Sequence, residues 1–223
     1  MAEFARHLPL SLRRIGDEAG VNSRWAGHLG ATTAAIADLA ATLTPEQWEA
    51  PSLCTGWRVR DVAGHLVWRL GSSTPLLVGS AARAYLGHHL RPAKAIDDLS
   101  RAAARAEPAE LVSSLRLIAA AKTAGHGRTG ITELTEAVVH GLDLTHPLGL
   151  TLPVHPMAGG AVALRRSLIA PTEIKAVLRT RTLVATDAEW QVGHGSELSG
   201  TTEELLLFLF GRGPLPRETA TGA

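Results

Sequence analysis

The sequence predicts a mainly α protein: a helical bundle over residues 23–150, preceded by a lead-in at residues 1–22 and followed by a small α/β unit at residues 151–223. Three observations carry that expectation. The chain is rich in Ala, Leu and Arg, which cost little in a helix. Apolar side chains return at helical spacing, as in Val59, Val62, Leu66 and Leu70. After Leu150 the pattern changes. Thr182 to Ala185 alternates as a strand does, and Glu189 to Val192 offers a partner across a turn at Asp187.

Each element has a local reason. Gly16 and Gly20 mark breaks in the lead-in, so the first helix is expected to start at Asn22 or Ser23 and to run towards Leu43. Thr44-Pro45 opens a short turn, with Pro45 at a first helical position and Trp48 as its buried anchor. Pro51 and Gly56 keep the next stretch irregular until a second long helix begins at Arg58. Gly71, Ser72, Ser73 and Pro75 weaken that helix. Ala81 to Leu90 reads as helix; its adjacent His88 and His89 point about 100° apart and are read as surface residues. Ala93 to Ala106 and Ala109 to Lys122 follow as helices, the second started by Pro108. Thr129 or Gly130 caps the helix through ELTEAVVHGLDL, residues 133–144, and Pro147 and Gly149 end it. In the tail, 152–156 reads as a linker, Met157 to Leu168 as a weak helix, 193–200 as a loop and Thr201 to Phe210 as a short apolar helix.

Composition narrows the function. Lys+Arg 22 against Asp+Glu 21 leaves a net charge of +1, without the basic face that nucleic-acid binding wants. The single cysteine, Cys54, excludes an internal disulfide and a CxxC metal knuckle, and fits a reducing cytosol. Arg6, Arg13 and Arg14 stand in the lead-in without an apolar core of signal-peptide length. No apolar run approaches the roughly 18 residues of a membrane span. A cytoplasmic monomer or homodimer acting on a small molecule is expected, with neither nucleic acid nor membrane as partner.

Chemistry concentrates in residues 133–144. Glu136 and His140 are four apart, so they share one helix face and can bind one metal ion together. The plainer alternative is an amphipathic core helix with one hydrogen-bonded histidine. A third ligand-type residue, His65, lies on the helix that begins at Arg58, between Val62 and Leu66. If the two helices are neighbours, one carboxylate and two imidazoles converge, a set that suits Zn²⁺, Fe²⁺ or Ni²⁺ and leaves positions open for water or substrate.

Three segments carry a resemblance. PSLCTGWRVRDVAGHLVWRL, residues 51–70, resembles the C-x-G-W-x-V-x-D-x-x-x-H-L segment of the mycothiol-dependent maleylpyruvate isomerase-like family. ELTEAVVHGLDLTHPLG is similar to that family's E-x-x-x-H-x-x-D-x-x-x-x-L-G helix, and TDAEWQVGHGSELSGTTEELLLFLFGR to its C-terminal signature. The resemblance implies a DinB-like metal-binding four-helix bundle followed by a small α/β domain. It implies metal ligands His65, Glu136 and His140, a divalent ion with zinc expected first, and mycothiol as co-substrate. Arg212 matches the terminal G-R and is a candidate catalytic residue that reaches a substrate carboxylate; a plain surface arginine is the alternative. Asp61 and Asp143 match family aspartates, either as acceptors for ligating imidazoles or as helix-end charges. Trp57 is expected to pack at the helix start, and Cys54 to pack in the entry loop rather than to act as a nucleophile. Two departures stand out: Pro153 to Pro171 looks short and irregular, and Pro147 falls where relatives continue the helix.

The implied activity is addition of a metal-activated thiolate to a small electrophile, with cis–trans isomerisation as its outcome. Thiol transfer in detoxification uses the same thiolate and omits the expulsion step. A metal- or ligand-binding protein without turnover is the third reading.

Overall fold

A computed structural model of the chain describes residues 15–87 and 92–218. In chain order the helices are α1 (Ile15–Ala40), α2 (Pro45–Glu49), α3 (Val59–Gly71), α4 (Thr74–Gly87), α5 (Pro92–Ala103), α6 (Pro108–Thr123), α7 (Ile131–Thr145), α8 (Pro156–Ile169) and α9 (Thr172–Leu178). Strands β1 (Arg181–Ala185), β2 (Gln191–Gly193) and β3 (Ser196–Gly200), helix α10 (Thr202–Leu209) and strand β4 (Arg217–Glu218) complete the described chain.

The bundle is a ring of four helices: α1 packs on α6, α6 on α3, α3 on α7 and α7 back on α1. Leu29, Ile36, Leu66, Leu70, Leu115, Leu134 and Leu142 fill its centre, each at most 2% exposed. At about 1.5–3 kcal/mol per fully buried leucine, this core is the main attraction between the helices. Helix α5 lies on the other side of α3 and α4 lies on α5. Gly64 permits the α3–α5 approach. A Cβ there would stand 2.5 Å from the Ala104 nitrogen and 2.7 Å from the Ser100 carbonyl oxygen, both main-chain atoms that cannot step aside.

The helix starts correct several expectations. Helix α1 begins at Ile15, so Gly16 and Gly20 lie inside it and do not break it. Helix α4 begins at Thr74, because Pro75 occupies its first turn, where a missing N–H costs no helical hydrogen bond. The short turn at Thr44 is as expected: Thr44 caps α2 through a capping box and Trp48 is buried. After α7 the chain makes a single 3-10 turn, His146–Leu148, which Gly149 closes at φ 66°. Residues 1–14 and the pair His88-His89 lie outside the described residues. Among the described residues no helix is long and apolar enough to cross a membrane.

The tail is more regular than its sequence suggests. Residues 156–169, expected to be weak, form the full helix α8, and α9 follows. The sheet order is β2-β1-β3-β4. Strands β1 and β2 form the expected antiparallel pair, with Thr182 opposite Gly193 and Val184 opposite Gln191. The stretch 193–200, expected as a loop, contains β3, which lies parallel to β1 on its other side. A parallel connection ordinarily needs a dozen residues or more. Here residues 186–195, with β2 among them, join the two parallel strands, and His194 and Gly195 carry the chain from β2 around the start of β1. Gly193 and Gly195 have φ 103° and 110°, and a Cβ on them would fall 2.2 Å from the Arg181 oxygen and 2.1 Å from the Thr180 oxygen. Only glycine allows that passage.

The tail is tied to the bundle. Helix α10 packs on α8 and α7. Asp187 accepts hydrogen bonds from the Thr202 N–H and hydroxyl, both at 2.8 Å, at the start of α10, and Trp190 Nε1 donates to Thr202 Oγ1 at 3.2 Å. The D-x-x-W of the tail is therefore a joint between the β1–β2 turn and α10.

Candidate metal centre

His65 stands on α3 and Glu136 and His140 stand one turn apart on α7, where those two helices pack against each other. Their ligand-type atoms lie within 4.8 Å of one another. His65 Nε2 is 3.4 Å and His140 Nε2 3.6 Å from the same oxygen, Glu136 Oε2. The two imidazoles meet edge to face, with centroids 4.6 Å apart. A tetrahedral ion with bonds of about 2.1 Å has its ligand atoms roughly 3.4 Å apart. The donor spacing therefore fits an ion such as Zn²⁺.

The far side of each ring sets its tautomer. His65 Nδ1 is 3.0 Å from Ser100 Oγ, and Ser100 donates its own proton to the Ile96 carbonyl at 2.7 Å. With its proton committed, Ser100 Oγ can only accept, so His65 carries its hydrogen on Nδ1 and presents a lone pair at Nε2. His140 Nδ1 is 2.9 Å from Asp143 Oδ2, and a carboxylate likewise only accepts. Both Nε2 lone pairs thus face Glu136, the orientation that ligation requires. Burial lowers the His65 pKa and keeps the ring neutral. Burial alone would raise the Glu136 carboxyl, but the neighbouring imidazoles of His65 and His140 and the Arg69 charge hold it below the ordinary carboxylate range.

Asp143 is fully buried at the centre of a second layer. Besides His140 it accepts from Arg212 through Nε and, at 3.1 Å, Nη2. Burial raises its carboxyl, yet the His140 and Arg212 hydrogen bonds outweigh burial and keep it ionised. Arg212 spends its remaining Nη1 on the Phe210 carbonyl at 2.8 Å. The guanidinium of Arg212, the candidate catalytic residue, is thus turned onto Asp143.

The entry loop brings Cys54 to the same place. A bridge between Pro51 and Arg58 closes the loop, Gly56 turns it at φ 76°, and the Leu53 N–H donates to the Asp143 carbonyl at 3.1 Å. Cys54 Sγ lies 3.1 Å from Asp143 Oδ2 and 3.7 Å from His140 Nδ1. Cys54, His140 and Asp143 form a second group with metal-ligand spacing. Its chemistry is poorer. Burial and the Asp143 charge raise the thiol pKa to about 12, so Cys54 donates a hydrogen bond to Asp143 as a thiol. Asp143 is already held on two sides by Arg212, which leaves His65, Glu136 and His140 as the better ligand set.

Sequence reasoning missed Ser100 and the closeness of Cys54. Neither has a signal at the level of spacing, because both reach the site across the fold. Asp61, the other candidate acceptor, is buried at the start of α3, where it accepts from the Arg58 N–H at 2.9 Å and the Arg58 guanidinium at 3.0 Å. It is a helix-end residue. Trp57 packs beside His65 with ring centroids 5.3 Å apart, and its Nε1 donates to Asp97 of α5 at 2.7 Å. A cleft of about 520 Å³ between α1 and α6 is lined by Ala34, Arg116 and Ala120 among others, and none of the three ligand residues lines it.

A family model described as the mycothiol maleylpyruvate isomerase N-terminal domain matches residues 29–145, a stretch that holds His65, Glu136 and His140 and stops short of Arg212. No curated protein and no solved structure matches the chain.

Proposed function

The chain belongs to the family of the mycothiol maleylpyruvate isomerase N-terminal domain, and on that premise we propose that it is a metal-dependent enzyme using mycothiol to isomerise a small electrophilic alkene. The observation that carries the proposal is the pair of imidazole Nε2 atoms that lie 3.4 and 3.6 Å from one carboxylate oxygen. His65, Glu136 and His140 would hold a divalent ion, zinc by first expectation. Bound there, the ion would deprotonate a thiol that reaches its open position and act as a Lewis acid.

The chain's own residues do the rest. Ser100 and Asp143 fix the two imidazole tautomers, and Arg212 fixes Asp143. Cys54 stays protonated and is not the attacking group. No second cysteine exists, so the attacking thiol comes from outside the protein. In the proposed reaction a carbon–sulfur bond forms at the alkene and the former double bond rotates as a single bond. The carbon–sulfur bond then breaks and releases the thiol unchanged. The test is metal analysis of the purified protein, followed by conversion of maleylpyruvate with and without mycothiol. Turnover that requires both zinc and mycothiol is expected. Equal rates without mycothiol would overturn the proposal and point to water as the attacking group.

A further inference from the structure

One helical turn from the ligand triad lies a cluster of cations that the reaction above does not use. On α3, Arg69 follows His65 by four residues; on α7, Glu133 precedes Glu136 by three. Both rows step the same way along the packed pair, by about 5 Å. Arg69 Nε is 3.8 Å from Glu136 Oε1 and Arg69 Nη1 is 3.6 Å from Glu133 Oε1. Arg128, from the loop before α7, reaches Glu133 Oε1 at 3.2 Å with Nη1 and donates from Nη2 to the Arg69 carbonyl. Lys122, from the last turn of α6, is only 5% exposed. Its charge is repelled by Arg128 and Arg69, with Glu133 as the counter-charge. Its Nζ lies 3.4 Å from where a Cβ on Gly127 would stand.

Three largely buried cations thus share a corner with one carboxylate of their own, Glu133, once Glu136 is engaged as a ligand. Two of their buried N–H groups, Arg69 Nη1 and Arg128 Nε, make no hydrogen bond. Burial, together with mutual repulsion, lowers the pKa of both Lys122 and Arg128. Buried like charges with spare donors are costly to keep. A bound anion relieves both costs.

We infer that Arg69, Lys122 and Arg128 form the subsite for a carboxylate of the electrophile, placed one helical turn from the metal triad. The inference rests on the proposed function for what the carboxylate is attached to. The offset of about 5 Å suits a short acid whose carboxylate and reacting carbon are a few bonds apart. The flat forks of Arg69 and Arg128 match the two oxygens of a carboxylate, and Lys122 adds charge without directional demand.

The test is a calorimetric titration of the full chain, with zinc in excess, using maleate, its neutral dimethyl ester and inorganic phosphate as probes. Zinc content is read separately. Maleate should bind the wild type, the ester should not, and phosphate should bind more weakly than maleate. K122M and R128Q should each weaken maleate by about tenfold or more, as loss of a charge-assisted contact does, with zinc content unchanged. K122M should also melt at the same temperature as the wild type or higher, since it removes a desolvated cation that two neighbouring guanidiniums repel. Wild-type maleate affinity in K122M, equal affinity for the ester, or preference for phosphate would overturn the inference. If R128Q fails to fold, K122M alone decides. Failure of the metal reading is distinct: the protein would take up no zinc, while maleate binding would still depend on Lys122.

Discussion

Replacing Asp143 by Asn removes one charge and changes almost no volume, so its effect reads the electrostatics of the second layer directly. Asp143 is 0% exposed and the Arg212 side chain 23%. Removing one partner of a buried pair costs about 3–5 kcal/mol, because the other charge stays behind uncompensated. Arg212 keeps its bond to the Phe210 carbonyl and some solvent, which argues for the lower end, about 3 kcal/mol. For a chain of this length that is a fall in melting temperature of roughly 6–12 °C. The amide also has a single acceptor oxygen, so it cannot serve His140 and Arg212 as the carboxylate does. The His140 tautomer loosens, and zinc affinity should drop about 10- to 100-fold. The assays are thermal unfolding of the metal-free protein and competitive zinc titration. Adding R212M to D143N removes the orphaned cation and should recover at least about 1 kcal/mol as a coupling energy. A D143N protein that melts within about 2 °C of the wild type and holds zinc as tightly would refute this account of the layer.

Ser100→Ala should lower zinc affinity about tenfold while circular dichroism shows unchanged helix content, because the hydroxyl otherwise bonds only a carbonyl of its own helix; unchanged affinity would mean that His65 needs no acceptor. Cys54→Ser should keep full zinc occupancy and turnover, and a fully loaded but inactive variant would return the thiol to the mechanism. Asp61 has its carboxyl held low: burial pushes it up, but the Arg58 hydrogen bonds and charge prevail. With the folded pKa below the unfolded one, the unfolded chain binds the extra proton. The stabilisation is therefore complete above about pH 4 and fades as acidity increases through the lower folded value. Urea unfolding between about pH 5 and pH 2 should show Asp61→Asn with a shallower acid slope than the wild type, and parallel slopes would remove Asp61 from the acid response.

Much of this arrangement was legible because it depends on local periodicity. The Glu136/His140 spacing fixes a shared face on any α-helix, and the apolar rows beside His65 and Glu136 mark the faces that those two helices turn to the core. The capping box at Thr44 and the hairpin around Asp187 are likewise written in neighbouring residues. What escaped depends on long-range contact. Ser100 reaches His65 only because Gly64 lets α5 come close, and nothing in SRAAAR announces a hydrogen-bond acceptor. Cys54 meets Asp143 through a loop closed by a main-chain bridge. Strand β3 was hidden because its sequence, SELSG, carries weak strand preference and its parallel partner, β1, is joined to it through β2 within residues 186–195, shorter than such connections usually are. Arg212 was found, but its direction was not: whether a guanidinium turns to a substrate or to a buried aspartate is decided by the tail's docking, not by the G-R pair.

The Arg212–Asp143 contact also has a bearing on how the protein is made. The residues proposed to hold the ion leave the ribosome early, the last of them at position 140, whereas the guanidinium that neutralises Asp143 follows about seventy positions later. At a synthesis rate of roughly 5–20 residues per second, the nascent bundle spends several seconds with that aspartate uncompensated. During this interval Asp143 has only the Cys54 thiol and His140 as side-chain partners. Arrival of Arg212 ends the interval, so the charge balance of this layer is set by the completed tail rather than by the helices that carry the proposed ligands.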